Sequence, residues 1–212
     1  QVHIQLAGQR LYPSMKEFGQ PAMIALVIVI ILFTLGAALV PLLLIEEKEA
    51  HTLDALLVSP AGLTRIVAGK ALAGGVFCLM AALVLLVLNL KMLVHWEVAL
   101  LAVVLTTFFA VAIGLLLGIV TNNPTTAGTW GGLLLLIFIG FTALALMEIP
   151  GIPNFLQETL TWLPGAAALN LFRLSMAGEA PAWAVWANAN ALLVAGTAGY
   201  FLLIWKTRRM DR

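Results

Sequence analysis

The sequence predicts an all-α polytopic membrane protein with a single transmembrane domain, on three observations. Apolar residues make up 62% of the 212 residues and charged ones only 10%, where a soluble domain carries about 25% charged. The mean hydropathy is +1.06. Long stretches have no charge at all, and Pro, Asn and charged residues separate them. The remaining composition excludes other classes. A lone cysteine, Cys78, cannot staple a secreted disulfide scaffold. A net charge of +1, with no basic stripe, excludes nucleic-acid binding.

A helix needs roughly 20 apolar residues to cross about 30 Å of hydrocarbon, because every backbone polar group must be satisfied within it. The first uncharged run, Pro21 to Ile45, predicts a span over about 21–45. The second, around Ala71 to Leu90, predicts one over 68–90. Val98 to Met147 is too long for one crossing. Thr121, Asn122, Asn123 and Pro124 divide it into spans 98–120 and 127–147, since an Asn pair before Pro favours a turn. Ala180 to Trp205 supplies the fifth, over 182–205.

Residues 149–179 read differently. Pro150, Pro153 and Pro164 cut this stretch into apolar pieces too short to cross. Asn154 with Gln157 suits a helix start, and Ala166, Leu169, Arg173 and Met176 recur at helical spacing. A short re-entrant helical hairpin entering one membrane face is expected.

Basic residues orient the chain. Arg10, Lys16, Lys91 and Arg173 fall on one side. Lys48, Arg65, Lys70, Lys206, Arg208, Arg209 and Arg212 fall on the other, which is therefore cytoplasmic along with the carboxyl terminus. Trp96, Trp183, Trp186 and Trp205 lie at span ends, as an interfacial aromatic belt requires. Gly114 with Gly118, Gly128 with Gly132, and Ala71 with Gly75 have small-xxx-small spacing, read as packing within the chain. The first residue is Gln, and the first apolar run, 25 residues from Pro21, is too long for a secretory signal, so either processing of the chain or a missing beginning is expected.

The segment 46–67 is the most informative. Four acids and one Lys (Glu46, Glu47, Lys48, Glu49, Asp54) surround Leu53, Leu56 and Leu57, which share one helical face. Ser59 before Pro60 suits a new helix start, which continues through Arg65 and Lys70 into the next span. Charge and amphipathicity alone are what any loop leaving a bilayer shows. The wording is more specific. An acidic run, then Thr52-Leu53-Asp54, two Leu, Ser59-Pro60, and an apolar stretch ending Gly69-Lys70 resembles the cytoplasmic loop of the ABC-2 type permeases, the membrane subunits of one class of ATP-binding-cassette transporters. His51 stands where that family usually has Gly. The break at Asn122-Asn123 and the stretch Leu163-Pro164-Gly165 through Arg173 and Gly178 are also similar to the family, over roughly residues 20 to 212.

The resemblance implies six spans in the complete fold, five of them visible here, with an external hairpin before the last. It implies a multi-pass prokaryotic cell-membrane protein, a partner ATPase that binds the ATP, and a second permease chain in a homo- or heterodimer. It assigns the ATPase-coupling loop to Glu46, Glu47, Glu49, Thr52, Leu53, Asp54, Leu56, Leu57, Ser59 and Pro60. This chain is expected to bind no cofactor or metal and to have no catalytic site. A phosphate loop needs Gly where Thr64 stands, five residues before Gly69-Lys70. His3, His51 and His95 are isolated, and no Ser has a His partner nearby in sequence.

No ionisable residue falls near the middle of a span, and the substrate path is not identified. Thr34, Asn89, Thr106, Thr107, Thr142, Asn188, Asn190 and Thr197 are the deeper polar groups, each expected to bond a neighbouring helix. An apolar path suits export of an amphiphilic drug-like or lipid-linked molecule. An ion-coupled secondary transporter, which would need a buried acid or an unwound helix, and a non-transporting membrane scaffold are the alternatives.

Overall fold

In a bilayer, helices associate through close packing and not through the hydrophobic effect, so the residues that permit close approach decide the architecture. The computed structural model describes residues 19–49, 63–146, 159 and 162–210. Five described helices are long and apolar enough to cross a membrane, and the described residues contain no strand. The chain is an all-α, multi-pass membrane protein.

The first span is one rod made of α1 (Gln20–Thr34), a π-helical turn (Leu35–Leu39) and α2 (Val40–Glu49). The physical cause of the turn is Pro41, which has no N–H to give the carbonyl of Ala37 and whose ring would press on it. Widening the helix by one residue relieves this, and Val40 donates its N–H to Leu35, five residues back.

The second span is α3 (Leu63–Leu88), the third α4 (Trp96–Val120), the fourth α5 (Pro124–Leu146) and the fifth α7 (Ala182–Met210). Pro124 opens α5 and does not precede it. Asn123 accepts a 2.7 Å hydrogen bond on its side chain from the Thr126 N–H, and Pro is well suited to a first helical position.

The third span is the most buried of the five and the fourth the least. Around the π-turn the backbones nearly touch. Gly114 lies against the Gly36 carbonyl with no room for a Cβ, and a Cβ on Gly36 would meet Ala110 at 2.7 Å. On the other side of the turn, a Cβ on Gly131 would come within 2.7 Å of the Ala37 carbonyl. The Gly114 and Gly118 pair thus works within the chain, the latter against Pro41 and Leu44. Among the described residues, nothing lies within 4 Å of a Cβ placed on Gly75, Gly128 or Gly132. Gly196 packs on Phe108 and Gly199 on Ala112, so the third and fifth spans run parallel.

The described arm of the expected hairpin is α6 (Pro164–Met176). It is buried on nearly every side, wedged between spans. It starts with Gly165 pressed against Thr142 and Phe138. It ends where the Ser175 carbonyl accepts the N–H groups of Val94 and His95, at 3.0 and 2.9 Å. The polar groups within the spans mostly close on their own helices. The hydroxyls of Thr34, Thr142 and Thr197 donate to carbonyls four residues back, as does the Asn89 amide. Asn188 also meets a different helix, through a 3.5 Å contact with Asn170 of α6.

Candidate coupling site

The first span does not stop at Ile45. It carries its helix through the acidic run to Glu49, so Glu46, Glu47 and Glu49 leave the membrane on a rigid rod. Glu46 is exposed. Glu47 is half-buried, and its Oε1 lies 2.7 Å from the ammonium of Lys70 on the second span. Helices on either side of segment 50–62 are therefore clasped together. Thr52, Leu53, Asp54, Leu56, Leu57, Ser59 and Pro60, the rest of the expected coupling residues, lie outside the described residues.

Lys48 makes a second tie. Its Nζ donates to the carbonyls of Gly118, Ile119 and Thr121 at 2.8, 3.0 and 2.8 Å. The last four carbonyls of a helix have no partner inside it and carry the negative end of its dipole. A lysine ammonium has three hydrogens and no acceptor. Three donors therefore meet three carbonyls at the end of the third span. Thr121 completes the cap by returning both its N–H and its hydroxyl to the Leu117 carbonyl, at 2.9 and 2.7 Å. The third span also ends beside the fourth, whose first turn Asn123 caps.

These contacts bring the ends of four spans to one place. Force applied between residues 49 and 63 would reach the second span through Glu47 and Lys70, and the third through Lys48. Sequence reasoning found the acids but missed Lys48 and Lys70 as structural partners. The available signal was a single cation inside an acidic run at the end of an apolar stretch. At the opposite end, His95 and Glu97 approach to 3.7 Å beside the end of α6.

Five helices fit to cross a membrane, a short helix inserted among them, and two tied helix ends flanking residues 50–62 define a polytopic membrane protein. A family model described as ABC-2 family transporter protein matches residues 4–206. The chain belongs to that family and is the membrane subunit of an ATP-binding-cassette transporter. The match begins before residue 20, where the sequence motifs begin. Comparison with curated proteins and with solved structures finds no match.

Proposed function

We propose that this chain exports an amphiphilic drug-like or lipid-linked molecule, using ATP hydrolysed by a separate cytosolic subunit. Two such permease chains, alike or different, pair with two ATPase subunits. Residues 46–67 dock on the ATPase, with Glu47, Glu49, Asp54, Leu56 and Leu57 making the contact and Ser59-Pro60 setting the bend. The carboxyl terminus and the end that holds Lys48 and Lys70 face the cytosol of a prokaryotic cell.

The observation that carries this reading is the double tie of Glu47 to Lys70 and Lys48 to the third span. A docking segment moves a bundle only if its ends are stiffly joined to more than one span. The buried polar side chains among the described residues, such as Thr106, Thr142, Asn170 and Asn188, are all non-ionisable, which favours ATP-driven over proton- or sodium-driven movement.

The test is ATP-dependent efflux from vesicles holding this chain and its ATPase. Asp54→Lys or Leu56→Pro should abolish efflux while the chain still inserts. Unchanged efflux in both variants would remove the coupling role.

A further inference from the structure

An apolar cavity of about 270 Å³ lies between the first, third and fourth spans and the start of α6. Three rings form its back wall. Phe33 stacks on Phe138 with ring centroids 3.4 Å apart, and Phe109 leans on Phe33 at 5.5 Å. Pro164 and Gly165 close one side. The mouth is formed by Leu134, Ile137 and Phe141 of the fourth span, all exposed. They fall within the membrane-crossing stretch Pro124–Ala143, so the mouth lies at the depth of the hydrocarbon.

From this geometry we propose that the cavity binds a single alkyl chain, the tail of the exported amphiphile. This deepens the export reading above and rests on it. Among the described residues, the only polar side chain in the lining is Thr142. Its hydroxyl already donates to the Phe138 carbonyl at 2.7 Å. The side-chain walls thus offer a headgroup no charge and no free donor hydrogen, and a polar guest would lose its water without replacement.

Size narrows the guest further. An apolar cavity of about 150 Å³ accommodates one benzene, and a methylene takes about as much room as a water molecule, about 30 Å³. The site therefore holds on the order of nine methylenes, one tail and not the paired chains of a bilayer lipid. Its walls also assign the tail to cargo rather than to a resident lipid. Ala37, inside the π-turn, lines the cavity next to Phe33. The same rod runs on to Glu47 and Lys48, so the helix that touches the tail is the one tied to the coupling site.

The experiment uses the full chain in lipid nanodiscs and a ten-carbon fatty acid with a terminal diazirine. Photolabel should appear on Phe33, Phe109 or Phe138 and fall at least fivefold with excess decanoic acid. Labelling of the lipid-facing Leu136 and Val194 should not be competed. Ile113→Trp, which fills the cavity, should abolish the competed label, with Leu135→Trp as a second filling variant if the first fails to fold. Uniform, uncompeted labelling, or competed labelling that survives both fillings, overturns the site. Export of a decyl amphiphile by the chain with its ATPase reads the cargo assignment separately. Export that falls at least fivefold on filling supports it, and export unaffected by filling makes the tail a resident lipid's and overturns it. If the unaltered chain exports nothing, the export reading and the cargo assignment fail together, while the ATP-free labelling still reports on the pocket.

Discussion

The Lys48 ammonium donates a 2.8 Å hydrogen bond to the carbonyl of Thr121, joining the end of the first span to the end of the third. The two residues are 73 positions apart. With Gly118 and Ile119 accepting the other two hydrogens, a single side chain caps a helix to which it does not belong.

Replacing Lys48 by Met should therefore strip three helix-end carbonyls of their partner. A hydrogen bond to a charged group contributes about 1.5 to 3 kcal/mol, and water at the membrane surface recovers part of the loss. A fall of on the order of 3 kcal/mol is expected, read as a lower thermal midpoint in detergent. Lys48→Arg should recover only part of it, because a planar guanidinium cannot aim three hydrogens at converging carbonyls. Equal midpoints for Lys48→Met and the parent would remove the cap from the account.

The Glu47 and Lys70 pair is partly exposed, with about a quarter of each side chain accessible. Such pairs contribute about 0.2 to 1 kcal/mol. A double-mutant cycle with Glu47→Gln and Lys70→Met should give a coupling energy in that range, smaller at high salt. Exchanging the two charges should restore much of any transport that the single changes lose. A coupling energy of zero at low salt would make the clasp incidental.

Gly114 and Gly132 make a matched contrast. A Cβ on Gly114 would strike the Gly36 carbonyl, which is backbone and cannot rotate away, whereas a Cβ on Gly132 would meet nothing within 4 Å among the described residues. Gly114→Ala should cost about 3 kcal/mol, near the top of the range for overpacking. Gly132→Ala should leave the isolated chain's thermal midpoint unchanged. Similar midpoints for both variants would contradict the close crossing at the π-turn.

Thr106 is fully buried in the third span, and its Oγ1 has no hydrogen-bond partner among the described residues. A hydroxyl left unpaired away from water is a liability that an isosteric methyl removes. Thr106→Val should raise stability by about 1 kcal/mol, measured by thermal unfolding. A loss of stability would reveal a hidden partner for the hydroxyl.

Helix class, the existence of five crossings and a short helix through Ala166–Met176 were legible in the sequence, because hydrocarbon permits only self-satisfied helices and charges mark where they must end. Pro124 and Pro41 show where local reading stops. Both are helix breakers by type, yet one opens a helix and the other widens one, and the neighbouring backbone determines which. The acidic run after Ile45 was visible as a motif. That it continues the helix, and that Lys48 within it reaches the third span, depends on a carbonyl cluster 70 residues away. Periodicity and composition report what each segment requires of its surroundings. Which segments meet, whether Gly114 or Gly132 faces a partner, and where three Phe rings leave a cavity depend on long-range packing, because those contacts exist only once distant helices share the same space.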